Sequence, residues 1–281
     1  MPELPEVETT RRGIAPALEG RRILRLEVRE RRLRWPIAPG LGRRLAGTRI
    51  DAVDRRAKYL LLRCARGSAL IHLGMSGSLR IWTAPVPAPR PHEHYDIVME
   101  GGLLLRYHDP RRFGCLKWIA GDPDADPLLA GLGPEPLGPD FGADYLYVAS
   151  RGRRAPIKSF IMDGRVVVGV GNIYANEALF LARIDPRQPA GEVSRARCQR
   201  LVAAVTSVLG EAIAKGGTTL RDYVDGRGEQ GWFGSSLQVY GRAGEPCGAC
   251  GATVRRYVLG QRSTFQCPRC QRLARKPAML P

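Results

Sequence analysis

Four of the seven cysteines stand as Cys247-x2-Cys250-x16-Cys267-x2-Cys270. Each Cys-x2-Cys pair offers two thiolates from one tight turn, and two such knuckles complete a tetrahedral zinc site with no position left for water. The implied metal is one structural Zn2+, not a catalytic one. Gly248 and Gly251 ease the knuckle turns, and Thr253 to Gln266 reads as two strands joined at Gly260. Arg255, Arg256, Arg262 and Arg269 make this hairpin basic, which favours contact with nucleic acid over a ribbon that only stabilises the chain. A second reagent stands at the start. Met1 precedes the small Pro2, and removal of Met1 would leave Pro2 with a free secondary amine. An α-amino group has a pKa of roughly 7.7–8, and the positive end of a following helix lowers it further. A neutral amine attacks an aldehyde-like carbon to form an iminium. Glu3 beside it and Glu6 one turn on are placed to move protons. On these residues alone, a Pro-Glu start reads as an ordinary helix N-terminus.

The elements that must hold these groups are partly legible. Pro5 suits the first helical position, and Val7, Ile14 and Leu18 repeat at helical spacing before Gly20. Pro16 inside this helix is expected to kink it. From Arg22 to Trp118 the pattern changes to short β-like runs, among them Ile23–Val28, Tyr59–Leu62, Ala69–Leu73, Tyr95–Met99 and Leu103–Tyr107. Their spacing predicts an antiparallel sandwich or barrel. Ala84 to Pro91 reads as a surface loop. Gly121 to Gly142 carries five prolines and five glycines and marks a domain boundary. Beyond it the periodicity is helical over Asn172–Ala182, Glu192–Lys215 and a short piece near Ser235.

Composition narrows the partner. With 44 Lys+Arg against 27 Asp+Glu the chain carries +17 at pH 7. Such an excess points to a polyanion, usually nucleic acid. Only five of those cations are lysines, so Lys58 is a scarce residue type. A 44% hydrophobic content over 281 residues excludes disordered, collagenous and fibrous classes and suits one large or two ordinary domains. Without a basic-then-apolar leader or a long uncharged apolar run, the expected location is cytoplasmic, in association with the nucleoid. Cys64, Cys115 and Cys198 are scattered and read as buried free thiols.

Taken together, the motifs resemble the formamidopyrimidine-DNA glycosylases, bacterial base-excision repair enzymes. The resemblance runs along essentially the whole chain. It rests on PELPEVET (2–9), RRAKYLLL (55–62), HLGMSGSLR (72–80), HDPRRFG (108–114), LGPEPLG (132–138), VVGVGNIYANEALF (167–180), GGTTLRDY (216–223), VYGRAGEPC (239–247) and the zinc module. It implies an α+β fold: an N-terminal helix and antiparallel β-sandwich (1–133), a linker (134–145), a helix–two-turn–helix DNA-binding domain (146–240), and a zinc hairpin with a C-terminal tail (241–281). It implies Pro2 as nucleophile at the sugar's anomeric carbon and Glu3 as the acid/base that opens the ribose. Lys58 would serve β-elimination, and Arg262 would grip the phosphate beside the lesion and assist δ-elimination.

The resemblance also assigns the DNA contacts. A base worked on by an enzyme must leave the stack, at a cost of a few kcal/mol. Met75, Arg111 and Phe113 would fill the void, with Arg111 hydrogen-bonding the orphaned cytosine. His72, His92, Arg112, Arg154, Lys158 and Asn172 would position the backbone, Asn172 being otherwise a simple helix cap. Thr218, Thr219 and Tyr223 would lie near the extruded purine. The expected partner is double-stranded DNA with oxidised bases or abasic sites, met by a monomer that needs no organic cofactor. Gln271 to Pro281 extends past the point where the family often stops. Two other readings stay open: an endonuclease VIII-like glycosylase for oxidised pyrimidines, and a non-catalytic zinc-ribbon DNA-binding protein.

Overall fold

The computed structural model describes residues 2–218 and 233–273. It divides into two compact units. Unit one is Met1–Gly131 with Ala212–Gly234, and unit two is Leu132–Glu211 with Ser235–Pro281. The zinc module thus groups with the helices, and the end of the long helix after Glu211 groups with the sandwich.

Unit one opens with α1 (Leu4–Leu18) and continues β1 (Ile23–Val28), α2 (Leu41–Leu45), β2 (Ala52–Arg56), β3 (Tyr59–Cys64), β4 (Gly67–His72), β5 (Ser78–Thr83), β6 (Glu93–Met99), β7 (Leu103–His108) and β8 (Cys115–Ala120). One antiparallel sheet has the order β1-β6-β7-β5 and the other β2-β3-β4-β8. Their inner faces share one core, in which Ile23, Leu79, Ile97 and Leu105 of the first sheet meet Val53, Leu60, Ile71 and Leu116 of the second. Successive side chains point to opposite faces of a strand, so Leu60 and Leu62 of β3, and Ile97 and Met99 of β6, enter this core together. Val7, Ile14 and Leu18 of α1 join the same core. Pro16 sits in the last turn of α1, and the helix still runs to Leu18. At the rim, Asp96 takes a bidentate bond from Arg106 (2.9 and 2.7 Å) and another from Arg29 (3.0 and 2.8 Å). That network locks β6 to β7.

Unit two contains α3 (Ala143–Ser150), α4 (Ile157–Ile161), α5 (Asn172–Leu181) and the first part of α6 (Arg195–Ala214), then the hairpin β9 (Arg255–Leu259) and β10 (Arg262–Gln266). The hairpin turns at Gly260 and Gln261, both with positive φ. Phe180 of α5 packs with Val239, Val254, Phe265 and the knuckle cysteines in a small second core. Glu177 of α5 is buried and takes three backbone N–H bonds, from Gln238 (2.7 Å), Val239 (3.0 Å) and Tyr240 (2.8 Å). Burial raises its carboxyl pKa above the usual range, and those three bonds pull the other way. Among the described residues no helix is long and apolar enough to cross a membrane.

Candidate active site and nucleic-acid interface

Pro2 and Glu3 are buried, and Glu3 is the N-cap of α1. The Glu6 carboxylate accepts from the Glu3 N–H at 2.7 Å through one oxygen and from the Thr218 N–H at 2.8 Å through the other. The first bond is the backward half of a capping box, which fixes where the chain enters the helix. The second ties that entry to Thr218, itself 5% exposed. Gly217, at φ +83, lies where an added Cβ would come within 3.1 Å of Glu6 Oε1. Thr219 and Tyr223 lie outside the described residues.

Helix α1 is pinned to the sheet by Glu8, which meets Arg11, Arg12 and Arg55 at 2.9, 2.8 and 3.1 Å. Burial works against its charge, but the Arg11 and Arg12 hydrogen bonds and the Arg55 charge hold its pKa at about 2. Arg55 also donates to the Ala57 carbonyl at 2.9 Å. Lys58 follows at once in the β2–β3 turn and is half-buried. Tyr59 pairs with His72 across β3 and β4, the rings 4.9 Å apart. His72 is pushed down to about 4 by burial first, then by the charges of Lys58 and Arg34. Its Nδ1 accepts from the Gly74 N–H at 2.9 Å, so the ring proton is on Nε2. This scarce lysine and this histidine therefore sit within electrostatic reach of each other.

Met75 and Phe113 are 38% and 43% exposed, although both are large and apolar. Met75 rides a turn closed by the Gly77 N–H on the Leu73 carbonyl (2.8 Å). The Arg111 guanidinium lies 5.0 Å from the centre of the Phe113 ring. Arg112 and His92 adopt left-handed backbone, φ +57 and +69. Arg112, His92 and Arg111 are exposed. A cavity of about 680 Å³ lined by Trp35, Leu41, Leu116, Trp118 and Leu128 contains none of the candidate residues.

In unit two, Arg154 and Arg262 are exposed. Lys158 is only 1% exposed. Its Nζ donates to the Ser263 carbonyl (3.0 Å) and Thr264 Oγ1 (2.8 Å) of β10. Asn172 opens α5 behind its N-cap, Gly171, and donates from Nδ2 to the same Ser263 carbonyl at 3.1 Å. Asn176 Oδ1 accepts from the Phe265 N–H at 2.8 Å. These residues dock the hairpin that carries Arg262, a role no local sequence pattern shows.

The sulfurs of Cys247, Cys250, Cys267 and Cys270 all lie within 4.8 Å of one another. Cys247 and Cys270 Sγ are 4.0 Å apart, and Cys250 and Cys267 Sγ 3.4 Å. A tetrahedron with Zn–S of about 2.3 Å has edges of about 3.8 Å. Four thiolates at this spacing suit one structural Zn2+, whose chemistry is to cross-link the two knuckles.

Comparison with known proteins follows the same order along the chain. Residues 1–116 match the formamidopyrimidine-DNA glycosylase N-terminal domain, 132–224 the H2TH domain of that glycosylase, and 244–273 the zinc finger found in FPG and IleRS. A helix-fronted sandwich, a helix–two-turn–helix unit and a four-thiolate hairpin define one class of proteins, and the chain belongs to the formamidopyrimidine-DNA glycosylase family. The formamidopyrimidine-DNA glycosylase of Stutzerimonas stutzeri is 60% identical over 272 residues, which span 97% of this chain and 100% of that one. Its counterpart in Methylococcus capsulatus is 57% identical over the same lengths. Among solved structures, MutM (FPG) from Thermus thermophilus has a TM-score of 0.86 at 40% identity, covering 98% of this chain and 100% of that chain. The Lactococcus lactis FPG mutant G226P, in complex with Fapy-dG-containing DNA, has a TM-score of 0.88 at 32% identity, covering 96% and 99%.

Proposed function

We propose that the protein is a bifunctional DNA glycosylase and abasic-site lyase. It excises oxidised purines, 8-oxoguanine opposite cytosine and formamidopyrimidines, from double-stranded DNA. The Pro2 nitrogen attacks the anomeric carbon, and the glycosidic C–N bond breaks with its electron pair leaving on the base. Glu3 gives a proton to the ring oxygen as the sugar opens to an iminium. Lys58 supports loss of the 3′ phosphate by β-elimination. Arg262 holds the adjoining phosphate and supports loss of the 5′ phosphate by δ-elimination. Met75, Arg111 and Phe113 fill the void. His72, His92, Arg112 and Arg154 position the backbone, and Lys158 and Asn172 serve it through the hairpin they dock. Thr218, Thr219 and Tyr223 attend the extruded base. The enzyme acts as a monomer in the cytoplasm, on the nucleoid.

The observation that carries this reading is the buried Pro2–Glu3 entry to α1, fixed by Glu6, in a chain of this family. It supports an amine held in one place beside a carboxylate. Borohydride trapping on 8-oxoguanine duplex tests it. The expected result is a covalent adduct that mass spectrometry locates on Pro2 and that disappears when Met1 is retained. An undiminished adduct with Met1 in place refutes the assignment.

A further inference from the structure

We infer that Asp109 is a positioning residue: it holds the Met75 turn and the 109–114 loop in one arrangement, so that void filling and opposite-base recognition depend on a carboxylate away from the DNA. The inference rests on the reading above that Met75, Arg111 and Phe113 enter the duplex.

Asp109 is 0% exposed, and four donors converge on it. Oδ1 accepts from Ser76 Oγ (3.0 Å) and the Arg111 N–H (3.2 Å). Oδ2 accepts from the Tyr107 hydroxyl (3.1 Å) and the Gly114 N–H (2.9 Å). A carboxylate has about four lone-pair sites, so this one is saturated. Ser76 belongs to the turn that carries Met75, while Arg111 and Gly114 belong to the loop that carries Phe113. Burial drives the Tyr107 phenol far up, with Tyr95 and Asp109 adding to it, so its hydroxyl remains a donor at any working pH. The Asp109 carbonyl is held as well, by His94 Nε2–H at 2.7 Å and the Arg112 N–H at 3.2 Å.

The two segments also touch through their backbones. A Cβ on Gly74 would come within 2.5 Å of Gly114 N and Phe113 C, and one on Gly114 would collide with the Tyr107 hydroxyl. Arg112 sits in left-handed backbone, a conformation that persists only when its surroundings over-determine it. The result is a pair of exposed tips on a buried, fully bonded base. Side chains that must enter a base stack need such support, because their own rotamers are then fixed from behind.

Asparagine at 109 distinguishes positioning from plain stabilisation. Its amide oxygen can serve Gly114 and Tyr107, and its NH2 can face Ser76, whose hydroxyl can turn to accept. Turned the other way, the NH2 faces Tyr107 and the Gly114 N–H; neither the Arg111 nor the Gly114 N–H can accept, so Asp109→Asn sets donor against donor in the 109–114 loop in either orientation.

The test is single-turnover excision of 8-oxoguanine opposite cytosine and opposite adenine by the full zinc-loaded chain. The variants are Asp109→Asn, Ser76→Ala and Arg111→Ala, with thermal unfolding and zinc content measured alongside. Arg111→Ala is expected to abolish the cytosine preference. Folded Asp109→Asn is expected to lower it about tenfold, the effect of one orphaned donor. Ser76→Ala, which loses one bond between the two segments, is expected to lower it about fivefold while the protein stays folded with its full zinc content. If Asp109→Asn does not fold, Ser76→Ala decides, and a wild-type preference there overturns the inference. A folded Asp109→Asn with wild-type preference, beside an Arg111→Ala that has lost it, also overturns the inference and leaves the functional reading standing. Should Arg111→Ala itself keep the preference, Arg111 does not read the opposite base, and both fall.

Discussion

Lowering the pH from 7 to 4 should destabilise the free protein through His72 in particular. Its folded pKa is about 4 against an ordinary 6.5. Geometry gives the same direction independently, because protonating Nδ1 would set it against the Gly74 N–H that it accepts at 2.9 Å. The unfolded chain takes up this proton near pH 6.5 and the folded chain only near 4. The stability is therefore fully present above 6.5 and is lost as pH falls toward 4. At about 1.36 kcal/mol per pH unit, the loss is about 3 kcal/mol. Urea unfolding of wild type and His72→Asn at intervals between pH 7 and 4 isolates the effect. Asparagine offers Oδ1 at the place of Nδ1 and does not titrate. The stability difference between the two proteins should shift by about 3 kcal/mol across that window, in the direction that favours the variant as pH falls. An NMR titration placing His72 of the folded protein near 6.5, or parallel pH profiles for the two proteins, would refute the reasoning.

Glu8→Gln should cost about 2–3 kcal/mol at pH 7, the value of a carboxylate held near 2 with a discount for the exposed Arg12 partner. Because that stability is present above pH 4.5 and lost toward 2, the gap from wild type should close over the same interval in acid urea titrations. Cys250→Ser should release the zinc and dissolve the order of β9 and β10, since structural zinc supplies ~10–16 kcal/mol in finger peptides. Metal analysis, amide exchange over 255–266 and DNA affinity check this; a zinc-free variant that binds DNA like wild type contradicts it.

How much of this was legible in the sequence varied with how local each cause is. The cysteine spacing announced its site because the ligand geometry is written within each knuckle. The hairpin strands fell inside the expected Thr253 to Gln266 span. Apolar runs such as Leu103–Tyr107 marked strands because both faces are covered. By contrast, β2 (AVDRR) has little pattern of its own and takes its pairing from β3. Helices α2 and α4, five residues each, are too short for periodicity to register. The kink expected at Pro16 meets a helix already in its final turn, where few bonds remain to lose. At the candidate site, the motifs singled out side chains but not the partners that hold them. Glu6 reaches Thr218 across 212 residues, and Lys158 spends its ammonium on Ser263 and Thr264. Long-range partners of this kind leave no periodic or spacing signal. The four bonds on Asp109 join the end of β7 and the 109–114 loop to the turn at Ser76, and no spacing in the sequence pairs those segments.

The carboxylate of Glu177 divides the C-terminal unit into two dependencies. Three consecutive amides hang from it, ahead of the first knuckle and without any help from sulfur. Stripping the metal therefore unravels the tip while the stalk at Val239 and Tyr240 stays anchored to α5. An apo-protein returning to zinc begins its search with one end already moored, so remetallation is a short local closure rather than a refolding of the whole unit.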